Sequence, residues 1–196
     1  PEQYAAYAHA GSIYAHAVDK RIRPAIGLLN IGSEPYKGGA IEKEAYETLE
    51  KIGLRFIGNV EPFCCINDKD KGSDIERPVD VVITDGFTGN TFIKTLAAGA
   101  ELAGGFLKSE IKPLGLLEKL AGKYLNGEEK AFSRLKKRID PGQYGGAAFI
   151  GLNAPVFKGH GTTGIYGLIV GLEKYLAYVD SGAHEQIRQA FARVHT

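Results

Sequence analysis

The sequence predicts an α/β fold with a mostly parallel sheet. Three observations carry this. Short apolar, β-branched runs alternate with longer segments of helical periodicity. The run at Val79, Val81, Val82 and Ile83 is nearly continuous in apolar residues, as expected for a strand covered on both faces. Glycine-rich turns fall where strands hand over to helices.

The elements follow in chain order. Glu2 to Val18 is rich in Ala and Tyr and reads as a helix, with Gly11 as a weak point. "PAIGLLN", Pro24 to Asn30, reads as a short buried strand. "IGSEPYKGG" is a loop built on Pro35, Gly38 and Gly39. "AIEKEAYETLEKIG" is a helix ended by Gly53, with Ile41, Ala45, Leu49 and Ile52 on one face. "LRFIGNV" is a second strand, and Asn67 to Arg77 is a polar surface excursion. After the strand ending at Ile83 comes "TDGFTGN". Gly86 and Gly89 there suit a turn with φ > 0 and a closely approaching ligand. Asn90 or Thr91 would cap the next helix, whose apolar face is Ile93, Leu96, Ala97 and Ala100.

From Lys108 to Arg138 the chain carries nine basic and four acidic residues, against a whole-chain formal net charge of +1. Leu116, Leu117, Leu120, Ala121 and Tyr124 form an apolar stripe. Asn126-Gly127 breaks the segment, and Phe132, Leu135 and Ile139 form a second, narrower stripe. Residues 108–139 therefore read as an amphipathic helical hairpin inserted in a single α/β region spanning 1–196. Such a surface packs on its own domain, joins a dimer interface, or touches an anionic membrane or an acidic protein. Beyond it, Phe149 with Ile150 and Val156 with Phe157 look like strands. "KGHGTTG" then leads into a helix from Ile165 to Val179. His160, between two glycines, has the most suggestive setting of the five histidines.

Composition narrows the function class. Hydrophobic residues make up 44% and charged residues 24%, as in soluble globular proteins. A net charge of +1 argues against a general nucleic-acid binder. No apolar run approaches the ~18 residues of a membrane span, and no leader-like segment is read at the start. Cys64 and Cys65 are the only cysteines, and neighbours rarely bridge each other. That suits a reducing, cytoplasmic setting and gives a poor zinc site. Methionine is absent. In a parallel α/β sheet, ligands lie beyond the carboxyl ends of the strands. The loops after Leu29 and after Ile83 meet that edge, each with a lysine nearby, Lys37 and Lys94. A strand, a glycine turn and a helix N-terminus make an anion site.

Several stretches in series, "PEQYAAYAHAGSIYA", "GLLNIGSEPYKGG", "FIGNVE", "VDVVITDGFTGNTFIKT" and "YGGAAFIGLNAPVFKGHGTTG", resemble the PlsX family of phosphate acyltransferases of bacterial phospholipid synthesis. The resemblance covers nearly the whole chain. It departs at Gly39, where the family usually has asparagine, at "HGTTG" in place of the usual HGSSD, and at the excursion from Asn67 to Arg77. The family's DAMGGD-like and GNTGA-like motifs are absent, so the chain resembles roughly the C-terminal three fifths of a longer enzyme. The resemblance implies a Rossmann-like three-layer fold similar to the isocitrate/isopropylmalate dehydrogenases. It implies transfer of a long-chain acyl group from acyl carrier protein to inorganic phosphate, without metal or other cofactor. It further implies a cytoplasmic homodimer that associates peripherally with an anionic membrane.

On that reading Asn90, His160 and Lys94 are the candidate catalytic residues. Asn30, Gly32, Lys37, Asp85, Gly86, Gly89, Gly161 and Thr162 line the substrate or phosphate pocket. Leu116, Leu117, Leu120 and Tyr124 meet the membrane or a partner. Three rival functions stand beside it. They are a phosphotransacetylase-like enzyme, an acyltransferase-like subunit of an amino-acid reductase complex, which needs a reactive cysteine, and a non-catalytic binding module.

Overall fold

The computed structural model describes residues 2–65, 79–111, 145–159 and 164–194. In chain order these form α1 (Glu2–Ala17), β1 (Ile26–Leu29), α2 (Ala40–Lys51), β2 (Phe56–Val60), a 3-10 turn (Pro62–Cys65) and β3 (Val81–Ile83). There follow α3 (Gly86–Ile111), β4 (Gly146–Phe149), β5 (Val156–Gly159), α4 (Ile165–Asp180) and α5 (Ala183–Val194). The predicted hairpin lies almost wholly outside the described residues, and so does the excursion from Asn67 to Arg77.

The sheet is parallel with order β2-β1-β3, so β1 is central. All four residues of β1 are buried, which is why it reads as an unbroken apolar run. Gly27 is required at its middle. A Cβ there would stand 2.6 Å from Val60 Cγ1 and 2.9 Å from Val79 Cγ2. The β1–β3 register, Ile26 opposite Val81 and Leu28 opposite Ile83, is fixed at its start by Asp80. That carboxylate accepts the Ala25 N–H at 2.7 Å and lies 3.6 Å from Arg21 Nε. A buried carboxylate is tolerable when bonded and paired in this way.

Tyr4 and Ala8 of α1, Ile26 and Leu28 of β1, Ala45 and Leu49 of α2 and Ile83 of β3 form the first core. Both helices thus cover the same face of the sheet, the face of Ile26 and Leu28. Full burial of each large aliphatic here stabilises the fold by about 1.5–3 kcal/mol. The second core lies on another side of α1, where Ala10 meets Tyr178, Ala183 and Ile187, with Ile13, Tyr14 and Phe191 packed against them. Helix α1 is buried on several faces, and its alanines are what permit that. A helix with no single polar side belongs inside.

Several expectations change. α2 does end at Gly53, which takes φ +75° just beyond the Ile52 cap. β4 stops at Phe149, and Ile150 belongs to the turn that joins it antiparallel to β5. The second sheet is therefore a two-stranded hairpin, outside the parallel sheet. Its first residues pack on α4 backbone to backbone, since a Cβ on Gly171 would stand 2.9 Å from Gly145 O. Helix α5 was not read from the sequence, although Ala183, Ile187, Ala190 and Phe191 repeat at helical spacing. Ile93 and Leu96, the expected core face of α3, are 64% and 42% exposed.

Gly11 is a contact rather than a flaw. α1 crosses β3 there, and an added Cβ would overlap Val81 Cγ1. Gly11→Ala gains about 1 kcal/mol of helix propensity but forces the core apart, at a cost of about 1–3 kcal/mol. We expect a net loss in urea unfolding, reversed to a gain when Val81→Ala is added. A stabilised Gly11→Ala single variant would refute this packing.

Candidate functional site

A cavity of about 460 Å³ opens at the carboxyl ends of β1 and β3. Its size is that of an ordinary small-molecule pocket, ~300–1,000 Å³. Three helices begin at it. Tyr4 comes from the first turn of α1, Gly39 and Glu42 from the start of α2, and Thr84, Asp85 and Thr88 from the start of α3. Leu28, Leu29, Ile31, Pro62 and Phe92 supply apolar wall. The position agrees with the expectation for a parallel sheet.

The loop from Ile31 to Gly39 forms one side and is pinned by two buried amides. Asn30, 7% exposed, donates from Nδ2 to Lys37 O at 3.1 Å and accepts the Ile31 N–H at 2.8 Å. Asn59, 3% exposed, donates from Nδ2 to Glu34 O at 2.7 Å. Asn59 reaches the loop because β2 carries a bulge. Ile26 pairs with Phe56 but Leu28 with Asn59, and Gly58 absorbs the extra residue at φ +93°. Gly38 takes φ +88°, and a Cβ there would press on the Asn30 amide at 2.9 Å. Asn30 therefore lines the cavity, with both amide groups engaged in holding the loop. Gly32 and Lys37 belong to the loop but not to the cavity wall. Lys37 Nζ lies 4.0 Å from Glu34 Oε1 and over the Tyr36 ring, 5.7 Å from its centre.

The start of α3 differs from the sequence expectation. Asp85 is the cap, accepting the N–H groups of Phe87 at 2.8 Å and Thr88 at 2.9 Å. The helix begins at Gly86, so Asn90 and Thr91 are inside it and cap nothing. Gly86 and Gly89 lie in its first turn and neither has positive φ. Gly89 instead allows close approach, since a Cβ there would stand 2.7 Å from Thr84 Cγ2. At 100° per residue, Thr88, Thr91 and Phe92 share the cavity face. Asn90 and Lys94 project from the opposite side, exposed and outside the cavity wall. His160, Gly161, Thr162, Leu116, Leu117, Leu120 and Tyr124 lie outside the described residues.

Two carboxylates face the cavity, and each caps a helix with one of its oxygens. Glu42 Oε2 accepts the Gly39 N–H at 2.8 Å, capping α2, where Gly39 itself has no side chain to offer. The Thr88 hydroxyl and N–H hold the Asp85 carboxyl below its usual value. Tyr4 was not singled out in the sequence, where it is one of ten tyrosines. Burial, then the Asp85 and Glu42 charges, push its phenol up, so it keeps its proton at neutral pH. The cysteines sit in the 3-10 turn, away from the cavity wall. Burial, then Cys64, push the Cys65 thiol up to about 11, which leaves it a poor nucleophile at neutral pH.

Comparison with known proteins gives one answer. The model of the fatty acid synthesis protein family matches residues 1–185. A phosphate acyltransferase of Anoxybacillus flavithermus is 34% identical over 194 residues, 99% of this chain and 55% of that protein. One from a Geobacillus species is 37% identical over 197 residues, 100% of this chain and 56% of its own. One from Bordetella parapertussis is 37% identical over 188 residues, covering 96% and 50%. The chain spans about half the length of the curated relatives it matches.

The Asp85 cap sets a pH dependence. Its carboxyl is lowered in the folded chain, so its contribution is fully present above the unfolded value and is lost as pH falls through the folded one. Asp85→Ala should cost about 1 kcal/mol at pH 7. Thermal melts of wild type and variant should converge as pH drops below about 4. A difference that stays constant down to pH 2 would contradict the cap.

Proposed function

We propose, for a chain that belongs to the fatty acid synthesis protein family, that it forms part of an enzyme moving an acyl group from a thioester donor to inorganic phosphate. The donor is an acyl carrier protein, the acyl group is a long fatty chain, and the product is an acyl phosphate for phospholipid synthesis. The observation that carries the reading is the cavity at the sheet's carboxyl edge. It joins apolar wall to hydroxyl and carboxylate groups at three helix starts. The parallel β2-β1-β3 order supports the dehydrogenase-like fold that the sequence resembles.

The chemistry asks little of the protein beyond placement. A phosphate oxygen attacks the thioester carbonyl carbon, a C–O bond forms, and the carbonyl π pair moves onto oxygen. Collapse of that oxyanion breaks the C–S bond and sends the electron pair to sulfur. Phosphate is largely a dianion at neutral pH, so no strong base is required, and the thiolate leaves without an acid. Positioning and hydrogen bonds to the oxyanion supply the acceleration. Lys37, in the loop beside the cavity, is the cation we assign to phosphate. Asn90 and Lys94, on the far face of α3, would act only at a second surface, and His160 from the third glycine loop. The raised Cys65 thiol speaks against that residue as a covalent acyl carrier.

Phosphate-dependent thiol release from palmitoyl-acyl carrier protein tests the reading. We expect release that saturates with phosphate, that is faster for palmitoyl than for acetyl donors, and that drops at least tenfold, ~1.4 kcal/mol, in Lys37→Ala. Faster acetyl turnover would favour the phosphotransacetylase alternative. No release above a protein-free blank would leave a binding module.

An acyl phosphate released into water exposes its chain at about 0.8 kcal/mol per CH₂, so we propose peripheral attachment to an anionic bilayer in the cytoplasm. The leucines and basic excess between Lys108 and Arg138 would make the contact. Each lysine adds ~1 kcal/mol at such a surface, so the leucines carry part of the binding. A second copy of the chain is the proposed cover for the exposed apolar face of α3. Wild type should sediment as a dimer at micromolar concentration and pellet with anionic vesicles more than with neutral ones. Leu116→Glu with Leu120→Glu should abolish pelleting and leave the dimer. A monomer, or loss of the dimer in that variant, would reassign the stripe to the interface or the core.

A further inference from the structure

One polar group in the cavity has no partner among the described residues. The Tyr4 side chain is 93% buried, counting from its 7% exposure, and forms part of the cavity wall. Its hydroxyl makes no hydrogen bond among the described residues, yet it is not sealed from solvent. Its neighbours across the cavity are the Asp85 and Glu42 carboxylates. A buried hydroxyl left open in this way is an unfilled donor.

The chemistry of the wall selects what can fill it. Each carboxylate caps a helix with part of its lone-pair capacity and can still accept further hydrogen bonds. A phosphate dianion placed between them would meet two like charges, and among the described residues no lysine or arginine lines the cavity. A neutral chain bearing amides meets no such repulsion. Its N–H groups suit the carboxylates, its C=O suits the phenol, and its alkyl portions suit Leu28, Leu29 and Phe92.

We propose that this cavity takes the neutral, amide-bearing pantetheine arm of the acyl donor rather than phosphate, with Tyr4 donating a hydrogen bond to an amide carbonyl of that arm. The proposal rests on the acyl-transfer reading, and it makes Tyr4 a donor-binding residue. Phosphate then approaches the thioester from outside the cavity, where Lys37 stands.

Pantetheine itself is the probe, titrated into the whole chain by calorimetry. Saturable binding is expected to weaken about three- to tenfold in Tyr4→Phe, the loss of one neutral hydrogen bond. Tyr4→Phe keeps the ring, so its melting temperature should match wild type. Tyr7→Phe, on a tyrosine whose ring meets Phe191 at a tilt and does not line the cavity, should bind as wild type does. Inorganic phosphate should not displace pantetheine. Coenzyme A and acyl carrier protein both present this arm, and displacement by either supports the site while naming its source. Absence of saturable binding, equal affinity in Tyr4→Phe, or displacement by phosphate overturns the proposal. Thiol release is scored separately: Tyr4-dependent binding without phosphate-dependent release sinks the acyl-transfer reading alone, and release with Tyr4-independent binding sinks this inference alone.

Discussion

Close packing of α1 on two sides is the constraint on which the rest of the chain depends. Tyr4 and Ala8 lie on the sheet, while Ala10 and its neighbours lie on α4 and α5. A helix can serve two cores only if its side chains are small enough for both neighbours to come close. Ala5, Ala6, Ala8, Ala10 and Ala15 are all buried, and Gly11 admits Val81. The same seating places the first turn of α1 against the carboxyl edge of β1 and β3. The helix that joins the cores thus delivers Tyr4 to the cavity. Packing density at Gly11 and chemistry at Tyr4 are consequences of one placement.

The second constraint is the pair of asparagines behind the 31–39 loop. Loop backbone at a sheet edge must find hydrogen-bond partners, since buried unpaired groups cost about 1–3 kcal/mol each. Asn30 and Asn59 supply donors to Lys37 O and Glu34 O. The bulge at Gly58 makes this work, because without the extra residue the strand's alternation would turn Asn59 to the other face. Backbone irregularity in β2 therefore serves the loop in front of β1. The Asn59 Oδ1 is left without a partner, the one such buried atom among the described side chains.

How legible this was in the sequence depends on the range of the interaction. Strand β1, helix α2 with its Gly53 stop, and the parallel character of the sheet follow from periodicity and local punctuation. The position of the cavity follows from topology. The start of α3 was missed because two capping signals compete within six residues. Asp85 and Asn90 both suit an N-cap, and glycines at 86 and 89 argue for a turn between them. Asp85 prevails because Thr88 supplies it with a second donor and Gly89 lets the helix lie against Thr84. Tyr4 was illegible for another reason. Nothing in an Ala- and Tyr-rich helix marks which tyrosine meets a cavity built by residues 24 or more positions away. Helix α5 shows the reverse, since its spacing is present in the sequence at Ala183, Ile187, Ala190 and Phe191.

The start of α3 five residues before the expected Asn90 cap changes the electrostatics of the site more than its shape. Read from the sequence, the turn after β3 offers free N–H groups and a positive helix end to an anion. In the structure Asp85 already fills that role for α3, and Glu42 fills it for α2. A carboxylate that caps a helix largely cancels the partial positive charge that would attract a second anion. With the earlier start, Asn90 and Lys94 lie inside α3 and off the cavity wall, removing the cation expected there. What remains is a pocket with two helix-capping carboxylates, one phenol with no partner among the described residues, and leucine walls. Its affinity must come from hydrogen bonding and apolar contact, and any dianionic co-substrate must be held by cations that stand outside it.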